Sequence, residues 1–283
     1  MATRNQHSLG GPITIGGDLT VHRLGFGAMR ITGRGVWGPP ADRAGAVKLI
    51  RHVVESGVNF IDTADSYGPF VSEEIIAEAL APYPAGVVIA TKAGFIRPGP
   101  DRWTIDARPE RLKECVEGSL RRLKLACIDL LQLHRIDPKV PVEESLGALT
   151  DLQRAGKIRH IGVSETTVEE YERCKASATI VSVQNRYNVA DRSAEDVLEV
   201  CEREGIAFLP WFPLGGKGTP RHAALNRIAA AHQATPTQIA IAWLLARSPA
   251  ILPIPGTSSA AHFDENLAAA DIVLTEEELA ELS

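Results

Sequence analysis

Short apolar segments alternate with helix-like segments along most of the 283-residue chain, and this alternation limits the possible folds more than any other feature. Strands that alternate with helices are typical of a parallel sheet, and eight such units predict a closed (β/α)8 TIM barrel. A doubly wound open sheet is the alternative, but no Gly-x-Gly-x-x-Gly turn opens a helix in the first units. The predicted strands are Arg23–Ala28, Val58–Ile61, Val87–Thr91, Ile128–Leu133, Ile158–Val163, Ile180–Val183, Ala207–Pro210 and Ile251–Ile254.

Two small elements are predicted outside the alternating units. Gly16-Gly17-Asp18 separates two short apolar pieces within Pro12–His22, which predicts a short N-terminal β-hairpin. Residues Glu276–Ser283 predict a short C-terminal helix. No linker or low-complexity stretch interrupts the alternation, so residues 1–283 are predicted to form a single barrel domain.

The composition narrows the class of partner and the compartment. The formal net charge is −5 with an isoelectric point near 5.9, which disfavours nucleic acid and an anionic membrane surface as partners. The four cysteines lie far apart, without a Cys-x-x-Cys pair, so neither a metal site nor a disulfide framework is predicted. The polar segment Met1–Gly10 has no apolar leader, and no stretch approaches about 18 apolar residues, so we expect a cytoplasmic protein.

Polar and aromatic residues stand where the predicted strands end. In Gly57–Gly68 the strand ends at Asp62 and Tyr67 follows in the turn, while the next two strands end at Lys92 and His134. The carboxyl ends of parallel strands meet at one mouth of a barrel, where ligands bind. Each residue alone has an ordinary structural explanation, but together these four form one acid–base system. The remaining strand ends are Ser164, Gln184, Trp211 and Gly256.

This set of side chains suits delivery of a proton to an oxygen as hydride arrives at its carbon. A phenol with an unperturbed pKa near 10 is a poor proton shuttle at neutral pH. The ammonium of Lys92 is expected to lower the pKa of Tyr67, and Asp62 is expected to keep that ammonium charged. A neutral His134 can orient a carbonyl oxygen and share its developing charge.

Short motifs of specific order and spacing resemble the aldo-keto reductase superfamily from about Arg23 to the end of the chain. This resemblance implies NAD(P)H-dependent reduction of a small-molecule aldehyde or ketone. It implies Tyr67 as the general acid, Asp62 and Lys92 as the residues that tune it, and His134 as the residue that orients the carbonyl. The motifs are Gly57–Ala64 with Tyr67-Gly68, Thr91-Lys92, Leu131–His134, Gly162–Ser164, Val183–Asn188 and Ile254–Thr257.

The resemblance also implies a site for NADPH, with NADH as the alternative, extended across the barrel mouth. Ser164 and Gln184 would hold the nicotinamide carboxamide, and Trp211 would stack on the ring where the family usually has Tyr. The Pro213–Gly216 loop would hold the pyrophosphate. The implied cofactor residues are Gly27, Met29, Asp62, Ser164, Gln184, Trp211, Pro213, Leu214, Gly256, Thr257, Ser258, His262 and Asn266.

Three positions depart from the family pattern. Glu165 stands where Asn usually follows the Ser, and Gly256 and His262 replace a Lys and an Arg that pair with the 2′-phosphate of NADPH. The hydroxyls and N–H groups at the start of the helix after Ser259 can still hold a phosphate, and a protonated His262 adds charge. We therefore expect NADPH to be preferred by a narrower margin than in members that carry both cations.

Aromatic residues in the loops are candidates for the substrate pocket. The loops Val36–Pro40 and Phe212–Gly216 are similar to those of bacterial members that include pyridoxal reductases. This similarity hints at pyridoxal as a substrate, while the sequence leaves the oligomeric state open. The candidate pocket residues are Trp37, Phe70, Phe95 and Trp103.

Two functions of other classes remain as alternatives. A lysine at a strand end of a barrel can form a Schiff base, so Lys92 could be the nucleophile of an aldolase. Asp62 argues against this function, because a nucleophilic lysine must lose its charge. The second alternative is a nucleotide-sensing regulatory subunit, like the potassium-channel β subunits that share this fold.

Overall fold

The computed structural model describes residues 8–215 and 222–282, which form a parallel β-barrel surrounded by helices. The strands are β1 (Pro12–Ile15), β2 (Leu19–His22), β3 (Phe26–Gly27), β4 (Phe60–Asp62), β5 (Val88–Ala93), β6 (Phe95–Gly99), β7 (Arg102–Ile105), β8 (Ile128–Leu133), β9 (Ile158–Ser164), β10 (Ile180–Gln184) and β11 (Ala207–Phe208). The helices are α1 (Arg43–Glu55), α2 (Val71–Leu80), α3 (Pro109–Leu123), α4 (Val142–Arg154), α5 (Val168–Ser177), α6 (Glu195–Glu204), α7 (His222–Ala231), α8 (Pro236–Arg247), α9 (Ala260–Ala268) and α10 (Glu276–Leu282).

Seven strands pair in parallel in the order β11-β10-β9-β8-β5-β4-β3, and residues 250–255 fill the eighth position. On one side, the Leu252 N–H donates to Phe208 O at 2.9 Å. On the other side, the Gly25 N–H donates to Pro253 O, also at 2.9 Å. Pro253 and Pro255 have no N–H to donate in return. The predicted strand Ile251–Ile254 is therefore corrected to an isolated bridge, yet the segment still closes the (β/α)8 barrel.

The hairpin β1–β2 closes the end of the barrel opposite the carboxyl ends of its strands. Ile15, Leu19 and Val21 are buried and belong to one apolar cluster with barrel residues such as Phe60. The His22 N–H donates to the side chain of Asn59, immediately before β4. The predicted N-terminal hairpin is thus confirmed, and the opposite mouth is left for polar side chains.

Local chemistry accounts for the boundaries of α1, α3 and α6. Asp42 caps α1 by accepting a 2.7 Å hydrogen bond from the Gly45 N–H. Pro109 begins α3, where no intrahelical donor is required of it. Gly57 and Gly205, which follow α1 and α6, have φ angles of 96° and 67° that favour glycine.

Several local predictions are corrected. None of the predicted strands lies between Thr91 and Ile128, but the structure has the antiparallel hairpin β6–β7 there, which the proline-rich stretch at its turn conceals in the sequence. Between β11 and residues 250–255 the described residues form two helices, α7 and α8, where the alternation predicts one. The predicted strand Arg23–Ala28 is reduced to Phe26–Gly27, because Ala28 already begins a 3₁₀ helix. The predicted strand Ala207–Pro210 is also shortened, and β11 ends at Phe208. Proline has no N–H group to donate to a neighbouring strand, so Pro210 does not extend the strand.

Candidate active site

Four titratable side chains meet at the mouth where β4, β5 and β8 end. Asp62 is the last residue of β4, Lys92 lies near the end of β5, His134 follows β8, and Tyr67 lies in the turn before α2. Parallel pairing of the three strands brings their carboxyl ends to the same mouth, with Asp62 opposite Ala90 and Lys92 opposite Gln132. The exposed fractions are 2% for Asp62, 0% for Lys92, 8% for Tyr67 and 6% for His134.

Lys92 links the carboxylate to the phenol. Its Nζ donates to Asp62 Oδ2 at 2.6 Å, to Thr63 O at 2.8 Å and to Tyr67 Oη at 3.4 Å. These contacts use the three donors of the ammonium group, so the charge is hydrogen-bonded although the side chain is fully buried. The sequence prediction that Asp62, Tyr67 and Lys92 lie together matches this geometry.

The second carboxylate oxygen of Asp62 is held by two amides. Gln132 Nε2 and Gln184 Nε2 donate to Asp62 Oδ1 at 3.1 and 3.0 Å. Gln132 was not among the predicted site residues. Alternation along β8 could have identified it, because Gln132 and His134 are two residues apart and face the same side of the strand.

The electrostatics hold the phenol protonated and the ammonium charged. Burial raises the pKa of Tyr67 above its usual 10.0, and the charge of Lys92 opposes this shift without outweighing it. The expected net lowering of the Tyr67 pKa is therefore wrong, because desolvation disfavours the phenolate more strongly. Burial would lower the pKa of Lys92, but Asp62 and then Tyr67 raise it above its usual 10.5. This arrangement keeps Tyr67 in the protonated form that a proton donor requires.

His134 is held neutral beside the phenol. Burial lowers its pKa well below the usual 6.5, and the positive charges of Lys92 and Arg135 add to the shift. Its Nδ1 lies 3.4 Å from Ser66 Oγ, and its ring centroid lies 4.6 Å from that of Phe95. A neutral imidazole at this position can hydrogen-bond a carbonyl oxygen without competing for the proton of Tyr67.

A cavity of about 580 Å³ opens above these residues, and most of the predicted site residues line it. Lys92 lies beneath it, in contact with Asp62 and Tyr67. The lining also includes Arg30 and Arg135, which the sequence did not single out, and four residues from segments that it did, namely Val36, Phe212, Gly215 and Ile254. The predicted residues in the lining are Gly27, Met29, Asp62, Tyr67, Phe95, Trp103, His134, Ser164, Gln184, Trp211, Pro213, Leu214 and Gly256.

Of the four candidate pocket residues, Phe95 and Trp103 line this cavity, whereas Trp37 and Phe70 are not among its described lining residues. Phe70 precedes α2 and packs against the Arg122 guanidinium, whose carbon lies 4.1 Å from the ring centroid. The Arg97 guanidinium carbon lies 5.8 Å from the centroid of the Trp37 ring. Phe95 and Trp103, which line the cavity, belong to the hairpin β6–β7.

A second cavity of about 600 Å³ adjoins the start of α9, where the far end of the cofactor was predicted. Ser258 lines it together with Arg30, Arg34 and Lys48, and Arg30 also lines the first cavity. His262 is exposed and lines neither of these two cavities. Thr257 accepts a hydrogen bond from the Ser259 N–H, Asn266 is buried, and the predicted loop residue Gly216 lies outside the described residues.

Two other features are absent from the described residues. Residues 8–215 and 222–282 contain no group of three or more His, Cys, Asp and Glu side chains that could hold a metal ion. Within the same ranges, no helix combines the length and the apolar character needed to span a membrane.

Comparisons with known proteins agree with this geometry. The family model for the aldo/keto reductase family matches residues 23–283. An uncharacterised oxidoreductase of Schizosaccharomyces pombe is 46% identical, with 94% of this chain and 87% of the relative covered. A pyridoxine 4-dehydrogenase of Escherichia coli is 43% identical, with 94% and 95% covered. An aldo/keto reductase from Klebsiella pneumoniae, solved with NADP and acetate, is 30% identical with a TM-score of 0.82, covering 96% and 93%.

Proposed function

The chain belongs to the aldo/keto reductase family, and from this membership we propose that it reduces an aldehyde or ketone to an alcohol, with Tyr67 as the proton donor. The observation that carries the proposal is the position of Lys92 Nζ, 2.6 Å from Asp62 and 3.4 Å from the Tyr67 hydroxyl. This buried ammonium stabilises the phenolate that remains after proton transfer, which makes donation less costly.

The cavity suits NADPH, which would supply the hydride when bound. Trp211 offers a flat ring in the wall, and Gln184 Oε1 accepts no hydrogen bond from a described residue, so it is free for an amide N–H. Ser164 also lines the wall, although its hydroxyl already donates to Gln184 O at 2.8 Å. The relative from Klebsiella pneumoniae was solved with NADP, which supports the same cofactor here.

Each member of the tetrad has a separate task in the proposed reaction. His134 donates to the carbonyl oxygen and fixes its position, and Tyr67 transfers its proton to that oxygen as negative charge develops. Lys92 then stabilises the phenolate, while Asp62 keeps the lysine charged and oriented. The raised pKa of Lys92, which Asp62 and Tyr67 together maintain against burial, disfavours the aldolase alternative because Schiff-base formation needs the neutral amine.

The similarity to a pyridoxine 4-dehydrogenase supports pyridoxal as one substrate. The decisive experiment follows NADPH absorbance in the presence of pyridoxal, aromatic and aliphatic aldehydes, and ketones. We expect turnover with at least one aldehyde and its loss in Tyr67→Phe. If NADPH binds with no turnover on any member of the panel, the regulatory alternative would replace the proposed reductase.

A further inference from the structure

Arg135 directly follows His134 and is held in the wall of the catalytic cavity. Its Nη1 donates to His134 O at 2.6 Å and to Ser164 Oγ at 3.0 Å. These two bonds fix the guanidinium plane at the mouth of the barrel, beside the groups that act on the carbonyl. They leave Nε and Nη2 without an acceptor among the described residues.

Arg97 provides a contrast within the same site. Its Nε and both Nη groups donate to backbone carbonyls, those of Arg102, Val36, Ser66 and Gly35 among them. Arg97 therefore serves to fasten the hairpin β6–β7 to the neighbouring loops. Arg135 uses only one nitrogen in this way, although guanidinium groups normally satisfy several of their five donors when they are removed from water.

The surroundings of Arg135 exclude water from part of the guanidinium. Its central carbon lies 5.6 Å from the centroid of the Phe95 ring and 6.0 Å from that of Trp211. Burial lowers the pKa of Arg135, while the charge of Glu165 opposes that change. A guanidinium that is fixed, partly desolvated and open to a cavity is suited to bind an anionic oxygen through charge-assisted hydrogen bonds.

The position of Arg135 also determines where such an oxygen would lie on the substrate. Arg135 adjoins His134 in the chain, and both residues line the cavity together with Tyr67. An anion held by Arg135 would thus lie close to the carbonyl that His134 and Tyr67 contact. We propose that Arg135 binds a phenolate oxygen ortho to the reducible aldehyde, which makes ortho-hydroxy aromatic aldehydes the preferred substrates.

This inference rests on the proposed reductase function and narrows it to a class of substrate. Pyridoxal belongs to the class, because its 3-hydroxyl is adjacent to the 4-aldehyde. A planar guanidinium can donate to the phenolate from two nitrogens, and among the described residues that line the cavity, Arg135 is the charged residue that adjoins His134 in the chain. Selection therefore depends on the phenolate rather than on the size of the ring.

The test compares matched aldehydes that differ by one hydroxyl. Salicylaldehyde and benzaldehyde form one pair, and pyridoxal and pyridine-4-carboxaldehyde form the second. We expect Arg135→Met to lower kcat/KM for the hydroxylated aldehyde about 10- to 100-fold, mainly through KM, with the other member changed by less than about threefold. Arg135→Lys should recover part of the loss, because it restores the charge but not the planar fork.

Two further measurements separate substrate recognition from a structural role. The wild-type preference for salicylaldehyde over benzaldehyde should grow as pH rises and the phenol ionises, and this growth should vanish in Arg135→Met. Arg186→Met is the matched control. The guanidinium carbon of Arg186 lies 5.9 Å from the centroid of the Trp211 ring. Arg186 pairs with Asp191 and is not among the residues that line the cavity, so Arg186→Met should still prefer salicylaldehyde to benzaldehyde.

The outcomes that overturn this inference differ from those that overturn the reductase proposal. Equal losses for both members of each pair, or a weaker NADPH complex in Arg135→Met, would assign Arg135 to the fold or to the cofactor. Calorimetric titration of the NADP⁺-loaded protein with salicylaldehyde and benzaldehyde compares the two affinities without turnover. Equal affinity for the two aldehydes would contradict the phenolate site, even if the reductase activity is confirmed.

Discussion

The indole N–H of Trp211 donates a 2.5 Å hydrogen bond to the carboxylate of Glu165. The same carboxylate oxygen accepts a 2.6 Å hydrogen bond from the Arg186 N–H. Glu165 reaches both donors from a left-handed backbone with φ of 56°, a conformation that Asn adopts more readily than Glu. The sequence departs from the family pattern at both positions, with Glu for Asn and Trp for Tyr, and the structure shows that these two departures are in contact.

The pairing predicts that Glu165 affects cofactor binding through the orientation of Trp211. Glu165→Asn should weaken NADPH binding about fivefold, because a hydrogen bond of this kind contributes about 1 kcal/mol. Glu165→Gln keeps an acceptor and should lose less. Titration of the intrinsic tryptophan fluorescence with NADPH measures the affinity, and the emission of the cofactor-free protein should change as well.

A double substitution supplies the control for this prediction. Glu165→Asn combined with Trp211→Tyr restores the usual family pair and removes the indole donor together with its acceptor. Its loss of NADPH affinity should be smaller than the sum of the two single losses. Strict additivity would show that Glu165 and Trp211 act separately on the cofactor.

Removing the phenolic hydroxyl tests the proposed proton donor. Tyr67→Phe should reduce turnover at least about 10²-fold, since general acid catalysis contributes about 10²- to 10⁴-fold. The ring should remain packed near Trp103, with which it makes an edge contact at 6.4 Å, and NADPH affinity should be retained. A variant that keeps more than a tenth of wild-type turnover would rule out Tyr67 as the acid.

Lys92 and Asp62 should behave as one unit in both activity and stability. Lys92→Met leaves the buried Asp62 carboxylate without its cation, and a broken buried pair costs about 3 to 5 kcal/mol of folding free energy. Adding Asp62→Asn removes the unpaired charge, so the double variant should be more stable than Lys92→Met alone. Urea unfolding measures this recovery, while turnover should fall no further than in the worse single variant.

The Lys92–Asp62–Tyr67 set was predictable from sequence because each residue stands at a strand end, and parallel pairing in a barrel brings such ends together. The ends of strands are marked by an abrupt change from apolar to polar residues, which is a local signal. Gln132 carries a weaker signal of the same kind, since only its alternation with His134 reveals that it faces the barrel interior.

Other features depend on contacts that no local pattern records. The position of Phe70 outside the mouth follows from its packing on Arg122, which comes from a different helix. The sign of the Tyr67 shift depends on burial, whereas the sequence shows only that a lysine is near. Arg135 was overlooked for a similar reason, because only the structure shows that two of its nitrogens have no acceptor within residues 8–215 and 222–282.

The charged residues that line the second cavity are expected to determine the preference for NADPH over NADH. Arg34 and Lys48 line it with Ser258, and neither is hydrogen-bonded or ion-paired with a described residue, whereas His262 lies outside it. Arg34→Gln with Lys48→Gln should therefore weaken NADPH binding more than His262→Ala does, with NADH affinity nearly unchanged in both. Fluorescence titrations with both cofactors check this, and Lys113→Gln on α3 is the control. A larger effect from His262→Ala would restore the histidine as the main partner of the phosphate.

We expect the free energy of unfolding to depend on pH through Asp65, which is not one of the four proposed catalytic residues. Its side chain is buried, and neither carboxylate oxygen has a hydrogen-bond donor within normal distance among the described residues. Burial, reinforced by the negative charge of Glu73, raises the pKa of Asp65 from 3.8 to about 7. Asp65 is therefore a group whose proton is bound more tightly in the folded protein than in the unfolded chain.

The sign of this pH dependence follows from the number of protons that Asp65 binds in the folded and in the unfolded protein. Below about pH 4 both states hold the Asp65 proton, so the group contributes no difference in stability. Between about pH 4 and 7 the unfolded chain has released the proton while the folded protein keeps it, so stability falls as pH rises, by at most roughly 4 kcal/mol.

Asp65→Asn removes this titration, and its stability relative to wild type should rise by about 2 to 4 kcal/mol between pH 4.5 and pH 8. Urea unfolding of both proteins across that range measures the difference, and Asp151→Asn, at an exposed site on α4, should produce no comparable trend. Parallel stability curves for Asp65→Asn and wild type would mean that Asp65 is already ionised in the folded protein near pH 5.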